Sequence, residues 1–398
     1  MHFLKRLLKI ALQFAWLIKF RTQTYFLPRF IRRSKKIHAF NLDLHVSVIS
    51  DVSDLLASAG FRIVRWSISS HNFVFRRFFR IPDPVEFINQ TKWRDLNPRN
   101  IESFNKKYGQ VLQEVDFFIV THTPSFIQIF EKYRKPILCI NSTRYEAPYS
   151  NNNELWSGLN DSLRRGHESG ILTIWSNNRV DQNYLSQIVG VESELVPSLC
   201  AYVGCQWAPL NRTLIYIAKT NAEQVYLREK LGDPWVSALE GLGKNYRYEK
   251  LASVSAVFFL PYQLSTMSMF ELATMGVPVI VPSPAFLKEI RNKNVPILSE
   301  LLNAPIEVLR NSLQKQKNEI DWLTDLDWWL EKADFYDANL MPNVIVVDSF
   351  EEVANLKFPT CNKQWKDRVD YRNMSLKENR EKHFNLFLHK AGISVNLK

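Results

Sequence analysis

Cysteine and glycine are both scarce in this chain, which has 4 cysteines and 12 glycines among 398 residues. So few cysteines cannot form the disulfide framework of a small secreted domain, and we expect a reducing compartment. Cys200 and Cys205 lack the C-x-x-C spacing and the nearby histidine of a zinc site, so no bound metal is expected. The shortage of glycine excludes a glycine-rich low-complexity region. The remaining composition, 46% hydrophobic and 23% charged, is that of an ordinary globular protein.

Acidic residues are absent from the first 36 positions, which contain ten lysines and arginines. The rest of the chain has 41 basic residues against 40 acidic ones, so it is nearly neutral. The net charge of +11 therefore belongs to an N-terminal arm, residues 1–41. A basic patch spread over the body would indicate nucleic-acid binding. Because the body is neutral, we expect no nucleic-acid partner.

The first 36 residues have the pattern of a basic amphipathic helix. Lys5, Arg6 and Lys9 share one narrow face, and apolar side chains cover the remainder. Polar interruptions leave no apolar run of about 20 residues, so a membrane-spanning helix is not expected. The pattern favours a helix lying on an anionic membrane surface, at its cytoplasmic face. A helix packed on the body is the alternative. A signal segment is a third, although no small-residue cleavage site follows the apolar stretch.

The length of the chain favours two domains, since single cores rarely grow beyond about 300 residues. Short, continuous apolar runs alternate with helical patterns, which is typical of parallel sheets covered on both faces. We expect an N-terminal domain at 42–200 and a C-terminal domain at 201–350. A charged helical segment at 351–398 could pack back on the first domain. The predicted strands are 44–49, 62–66, 116–120, 136–140 and 171–175, then 214–218, 257–260, 277–281 and 344–347.

One segment, 257–283, combines the features of a ligand-binding βαβ unit. An apolar run is followed by a cluster of Ser265, Thr266 and Ser268, a helical pattern carrying Glu271, a glycine and a second apolar run. Open α/β sheets bind ligands beyond the carboxyl ends of their strands. A helix N-terminus at that edge offers N–H groups to a phosphate, and an acid one turn later can bond a ribose hydroxyl. Ser268 and Glu271 also fit a capping box, in which the acid would only complete the helix start.

Two such halves, with this unit in the second, resemble the GT-B fold glycosyltransferase superfamily (group 1-like). The resemblance covers roughly residues 42–350 and is specific only around 257–283. It implies an α/β fold with two Rossmann-like doubly wound domains facing a cleft. The C-terminal half would hold the nucleotide-sugar and the N-terminal half the acceptor. The resemblance also implies that Glu271 contacts the ribose and that Ser265, Thr266 and Ser268 face the diphosphate.

Three further residues extend the expected donor site. Gln263 occupies the place where retaining members often carry the first of two acids seven residues apart. Glutamine can bond a sugar hydroxyl but cannot act as a base, so the stereochemical outcome stays open, as does activity itself. Lys219 is placed like a cation that neutralises the leaving diphosphate, or it is a plain surface lysine. Arg144 could assist from across the cleft, or pair with Glu146.

Two residues beyond predicted strand ends of the first half are candidate bases. His122 has an ordinary pKa near 6.5, which suits removal of a proton from a sugar hydroxyl. It is as readily a structural residue preceding Pro124. Asp51 is the second candidate, with an N-cap of the following helix as the alternative.

The leading hypothesis is a membrane-associated, metal-independent glycosyltransferase that requires no cofactor. Its donor would be a UDP- or GDP-linked sugar, and its acceptor a glycan, a lipid-linked glycan or another hydroxyl compound. Asp325-Leu326-Asp327 matches the D-x-D that binds metal in a different glycosyltransferase fold, but it lies in a Trp-rich helical pattern. A nucleotide-sugar epimerase of the same architecture is one alternative. A non-catalytic nucleotide-sugar or glycan-binding protein, with Gln263 marking lost chemistry, is another.

Overall fold

The computed structural model describes residues 2–69, 82–210, 212–244, 246–298, 321–359 and 361–394. Within these ranges the chain forms two separate parallel sheets, each with helices in its crossover connections. The predicted pair of Rossmann-like domains is confirmed.

The first sheet has six strands in the order β2-β1-β3-β4-β5-β6, and every pair is parallel. Phe40 of the first strand lies opposite Val64 on one side and Phe118 on the other. The order reverses between the first and third strands, which makes this point the topological switch point of the domain. The strands are β1 His38–Asp43, β2 Arg62–Ser67, β3 Phe117–His122, β4 Ile137–Asn141, β5 Leu172–Ser176 and β6 Glu194–Leu195.

The helices of this domain begin at polar caps. Asn97, Asn152 and Asn178 each accept a hydrogen bond from the backbone N–H three residues later, at the start of the third, fifth and sixth helices. Such caps satisfy N–H groups that have no partner inside the helix. The helices are α1 His2–Arg33, α2 Val46–Ser58, α3 Pro98–Glu114, α4 Ile127–Phe130, α5 Asn153–Glu168 and α6 Arg179–Val189.

The first strand lies six residues earlier than predicted. Residues 44–49 were expected to form it, but α2 begins at Val46, and the strand is His38–Asp43. The buried residues Ile49, Val52 and Leu56 are spaced for one face of a helix. The true strand carries three polar side chains that are all buried, so its sequence has no apolar run.

The second sheet has the order β11-β10-β9-β7-β8, again all parallel. Counted from its own first strand, this is the order of the first five strands of the first sheet, so the two domains share one topology. Its switch point lies between β7 and β9. The strands are β7 Leu214–Ile217, β8 Trp235–Ser237, β9 Ala256–Phe259, β10 Val279–Pro282 and β11 Val344–Val347. The helices are α7 Asn221–Leu231, α8 Ala238–Leu242, α9 Tyr248–Leu251, α10 Met267–Met275, α11 Pro284–Asn292, α12 Leu326–Glu331 and α13 Phe350–Asn355.

The last helix, α14 Lys363–Lys390, packs on both domains. Near its start, the indole Nε1 of Trp365 donates to the carbonyl of Gly276 at 2.8 Å. Gly276 ends α10 with φ +77, and a Cβ there would lie only 2.9 Å from Val369 of α14. Near its end, Phe384 and Phe387 join the core on one face of the first sheet. A single helix therefore links the two cores.

The N-terminal helix α1 lies against the first domain along part of its length. Its own residues Phe20 and Ile31 are buried, and its Arg32 forms an ion pair with Glu114 of α3. Ile10, Phe14 and Ile18, spaced four residues apart, are each more than half exposed. The side chains of residues 2–9, including the predicted basic face, lie outside those described. Among the described helices, none is long and apolar enough to span a bilayer.

Candidate active site between the two sheets

The carboxyl edges of the two sheets face each other across the domain boundary. Asn177 follows β5 of the first domain, and Ser198 lies in the connection between the domains. Both side chains contact the sulfur of Met267 at 3.6 Å, and Met267 is the first residue of α10 in the second domain. The N-terminus of α10 therefore points at the edge where both sheets end, which is where doubly wound sheets bind ligands.

Glu271 of α10 is a buried carboxylate at this boundary. Its Oε1 accepts hydrogen bonds from the hydroxyls of Tyr202 at 2.5 Å and Tyr248 at 2.9 Å. Burial raises the pKa of Glu271, and hydrogen bonds from Tyr202, Tyr248 and Ser47 of the first domain oppose that rise. Protein hydroxyls thus occupy the position expected for a ribose. The capping-box interpretation of Ser268 is wrong, because the N-cap position of α10 is Thr266, two residues earlier in the chain.

The N-terminus of α10 is an incompletely satisfied helix end. Its N-cap is Thr266, whose side chain makes no capping hydrogen bond. The Thr266 hydroxyl is buried and has no hydrogen-bond partner in the described part of the chain. At α7, by contrast, Thr220 and Glu223 form a complete capping box. The α10 terminus therefore offers N–H groups and a hydroxyl to an anion. Ser265 and Ser268 are half-buried beside it.

Lys219 and Gln263 follow the two strands that flank the switch point of the second sheet. Lys219 comes after β7 and is exposed, and its Nζ lies 4.4 Å from the centre of the Tyr262 ring. Tyr262 and the half-buried Gln263 come after β9. The backbone N–H of Lys219 donates to the carboxylate of Glu223, which fixes this turn against α7. These predicted donor residues are thus held at one edge of the sheet.

His122 ends β3, at the switch point of the first sheet. Its backbone φ of 70° is in the left-handed region, which is strained for a residue with a side chain. The imidazole stacks on that of His45, with ring centres 5.1 Å apart. Burial, and to a lesser degree the neighbouring His45, lower the pKa of His122 to about 3, so its ring is neutral near pH 7.

His45 is a residue of this edge that the sequence analysis missed. It is the N-cap residue of α2 and follows β1, the strand next to β3. The prediction of a strand over 44–49 placed it inside the sheet. Correct placement of β1 would have identified it by the same criterion that selected His122.

The position predicted for Asp51 is wrong. It lies in the middle of α2, neither beyond a strand end nor at a helix N-cap. Its Oδ1 accepts from the backbone N–H groups of Leu199 at 3.1 Å and Cys200 at 2.6 Å, and its Oδ2 accepts from Arg380 of α14. The carboxylate is thus buried and bonded by the domain connection and the last helix, which leaves it unsuited to act as a base.

Arg144 lies in the interior, with only 2% of its surface exposed. Its guanidinium pairs with Asp181 and lies 5.3 Å and 5.1 Å from the ring centres of Tyr184 and Trp329. The positive charge of Arg144 lowers the pKa of Glu146, but the larger effect of burial raises this pKa to about 7. Arg144 therefore joins the first domain to α12, and the structure gives it no exposed path to a diphosphate.

The two aspartates of the D-x-D segment make structural contacts close to α12. Asp325 accepts from the backbone N–H of Asp327 at 2.9 Å and caps α12, while Asp327 pairs with Lys288 of α11. In the described part of the chain, no group of three or more His, Cys, Asp or Glu side chains is arranged to hold a metal ion.

Several hollows in the surface lie away from this boundary. One of about 370 Å³ and one of about 250 Å³ flank α1, and one of about 800 Å³ lies along α14. We place the candidate site by its chemistry and not by volume. Glu271, Thr266 and His122 combine buried polar groups with a position at the carboxyl edges of both sheets.

Comparisons with known proteins give matches among solved structures alone. No protein-family model and no curated protein matches the chain. The chain is similar to the glycotransferase of kitacinnamycin, with 8% identity and a TM-score of 0.42 over 89% of this chain and 100% of that one. It is similar to the glycosyltransferase SnogD from Streptomyces nogalater, with 10% identity and a TM-score of 0.34 over 75% and 96%. A third match is the wall teichoic acid polymerase TagF, with 11% identity and a TM-score of 0.33 over 93% and 98%. Values this low assign no activity, so a functional proposal must rest on the residues of the chain itself.

Proposed function

We propose that the chain is a glycosyltransferase that moves a sugar from a nucleotide-sugar to an acceptor hydroxyl without a metal ion. One observation carries the proposal. A buried carboxylate, Glu271, lies on the same helix as an N-terminus whose N-cap residue, Thr266, makes no capping hydrogen bond. Both are at the edge where two doubly wound sheets face each other.

The spacing of these two groups suits a nucleoside diphosphate. Thr266 and Glu271 are five residues apart, about 7 Å along a helix axis. The diphosphate would lie on the α10 N–H groups and the Thr266 hydroxyl, and the ribose hydroxyls would donate to Glu271. To reach it, they would replace the hydroxyls of Tyr202 and Tyr248. Lys219 would balance the charge that develops on the leaving diphosphate, and the half-buried serines beside Thr266 would donate hydrogen bonds to it.

The acceptor would approach from the first domain. Its hydroxyl oxygen attacks the anomeric carbon, the bond from that carbon to the phosphate oxygen breaks, and the hydroxyl proton passes to His122. A pKa of about 3 makes this imidazole a weak base in the free protein. The negative diphosphate would raise that pKa, because a nearby anion favours the imidazolium. Gln263 would hydrogen-bond a sugar hydroxyl.

The N-terminal helix would hold the protein at the cytoplasmic face of a membrane. Ile10, Phe14 and Ile18 present apolar surface to solvent, and the first 36 residues carry only basic charge. Such a helix binds anionic lipid through both contributions. Acceptors assembled on a membrane, including lipid-linked glycans, would then be within reach.

Nucleotide binding tests the donor half of the proposal. Calorimetric titration of UDP and of GDP should show a tenfold or greater loss of affinity in Glu271→Gln, since hydrogen bonds to a charged acceptor contribute about 1.5–3 kcal/mol. Glu249→Gln, an exposed acid of the same domain, is the matched control. Equal affinity in wild type and Glu271→Gln would remove Glu271 from the site.

Turnover tests the chemical half. Nucleotide-sugars incubated with membrane extracts in EDTA should release nucleoside diphosphate and form a glycosylated product. Binding without release would identify a non-catalytic protein instead. An altered sugar-nucleotide formed without acceptor would identify an epimerase.

A further inference from the structure

A hollow of about 370 Å³ separates α1 from the edge strand β2. Its volume is within the range of small-molecule sites, about 300–1,000 Å³. Aromatic and aliphatic side chains form most of its wall. The lining residues are Trp16, Phe20, Gln23, Thr24, Phe26, Leu27, Phe30, Arg65, Trp66 and Asp83.

The hollow has a defined direction relative to the candidate active site. Phe20 packs edge-on against Trp66 near the carboxyl end of β2, whereas Phe30 contacts His38 at the amino end of β1. α1 therefore runs antiparallel to the strands. The ten residues from Phe20 to Phe30 span about 15 Å. One end of the hollow thus reaches the edge of the sheet where the active site is expected.

That end carries a cation and a hydrogen-bond donor. Lys19 lies beside the hollow and not in its lining; it is exposed, and its Nζ lies 5.4 Å from the centre of the Trp16 ring. The indole Nε1 of Trp16 is buried and has no hydrogen-bond partner among the described residues. Asp83 is the one acid of the lining, and its carboxylate accepts from the backbone N–H of Ser67 at 2.7 Å. Arg65 in the lining and Lys19 beside it outnumber this one acid, and the first 36 residues add no other, so the charge of the mouth favours an anion.

We propose that this hollow binds the hydrocarbon chain of a lipid acceptor that carries a phosphate. The chain lies along α1 between Phe30 and Phe20, and the phosphate meets Lys19 and the indole N–H of Trp16 at the carboxyl edge. The outward residues of the same helix would rest on the membrane that supplies the lipid. As an acceptor site the inference rests on the proposed glycosyl transfer, whereas lipid binding itself does not.

Calorimetry on the full chain tests this site with decyl phosphate below its critical micelle concentration. Wild type should bind about one equivalent. Thr24→Trp, which adds an indole at a residue lining the hollow, should weaken binding at least tenfold. Thr22→Trp adds the same ring at an exposed position of α1 and should bind like wild type. Equal affinity in the two variants, or no binding by wild type, would overturn the proposal.

Two further measurements keep the result decisive. Decyl maltoside, with the same chain and an uncharged head, should bind wild type at least threefold more weakly than decyl phosphate, and Lys19→Gln should remove that difference. If neutral and anionic heads bind equally, the phosphate assignment is wrong. Should thermal melts show that Thr24→Trp is unfolded, Gln23→Trp fills the hollow from its exposed margin and takes its place.

The same samples separate this inference from the proposed function. UDP or GDP affinity should be unchanged in Thr24→Trp and Thr22→Trp. Nucleotide binding with no decyl phosphate binding would refute the lipid site alone. Decyl phosphate binding with no nucleotide binding would refute the transferase and leave a lipid site.

Discussion

Arg380 of α14 donates hydrogen bonds to both the side-chain carboxylate and the backbone carbonyl of Asp51 in α2, 329 positions earlier in the chain. Both side chains are buried, with 4–5% of their surface exposed. Asp51 also receives two backbone N–H groups of the domain connection. This pair therefore joins the first domain, the connection and the last helix at one point.

Removal of one partner of this pair should be costly. Arg380→Met leaves a buried carboxylate without its cation, and we expect a loss of about 3–5 kcal/mol in the free energy of unfolding. Lys377→Met, which removes an exposed i,i+4 pair with Glu381 on the same helix, should cost less than about 1 kcal/mol. Urea unfolding of both variants measures the difference. Coincident midpoints would show that the buried pair contributes no more than a surface pair.

Two threonine N-cap residues should differ in what the loss of their hydroxyl group affects. At Thr220 the loss should lower stability, and at Thr266 it should lower nucleotide affinity. Thr220→Val removes a capping hydrogen bond at α7 and should cost about 1 kcal/mol of stability. Thr266→Val removes a buried hydroxyl that caps nothing, so its unfolding free energy should fall by less than about 0.5 kcal/mol. UDP or GDP affinity should fall about tenfold in Thr266→Val and stay unchanged in Thr220→Val. The reverse pattern would mean that the α10 terminus holds no phosphate.

Asp43 should make the protein less stable as pH rises. Its Oδ2 accepts from the Ser67 hydroxyl at 2.9 Å, but its Oδ1 has no hydrogen-bond partner in the described ranges. Burial raises the pKa of Asp43 from 3.8 to about 7. Between these values the folded state keeps the proton that the unfolded state has lost. Stability from this group is therefore present below pH 3.8 and is lost as pH rises to about 7.

An amide at this position removes that dependence. At pH 8, Asp43→Asn should have a free energy of unfolding higher than that of wild type by an amount on the order of 2–4 kcal/mol, seen as a higher urea midpoint. At pH 4 the two proteins should differ little. Asp161→Asn, at an exposed helix position, is the control and should show no such divergence. A constant offset between Asp43→Asn and wild type over this range would contradict the buried, protonated carboxyl.

Membrane association should depend on the apolar stripe of α1. Phe14 is 64% exposed there, and burial of such a ring in lipid contributes about 1.5–3 kcal/mol. Phe14→Ser should therefore weaken sedimentation with phosphatidylglycerol vesicles about tenfold or more. Leu239→Ser, a 63% exposed residue of α8, should have no effect. Equal binding of wild type to uncharged phosphatidylcholine vesicles would exclude an electrostatic contribution to membrane binding. If that contribution exists, added salt should weaken binding to the anionic vesicles.

Most of the strands that could be predicted from the sequence are runs of continuous apolar residues, although β2, which contains two arginines, was also placed correctly. β4, β5 and β10 overlap their predicted runs, because strands covered on both faces bury nearly every side chain. β11 also matches its run, although it is an edge strand and Val346 is 43% exposed. β1 failed for the opposite reason. Its Asn41 is buried, but the Asn41 amide donates to the Ile119 carbonyl and the Thr121 hydroxyl. Partners supplied by a neighbouring strand leave no trace in the local sequence.

Site residues could be predicted from the sequence only where they belong to one local pattern. Glu271 and Thr266 stand in one βαβ unit, so their approach to the sheet edge follows from the connectivity alone. The hydrogen-bond partners of Glu271 cannot be deduced from the connectivity, since Tyr202 lies 69 positions away in the domain connection. Arg144 was misjudged similarly, because its ion pair with Asp181 forms only in the tertiary structure.

The path of α14 also constrains how the protein can be made. Phe384, Phe387 and Leu388 complete the core that Phe61, just before β2, and Phe117 of β3 begin. The ribosome synthesises these residues after the strands and helices of the second domain. The first domain therefore leaves the exit tunnel with an unfilled apolar face, and it cannot complete this core until α14 has been synthesised.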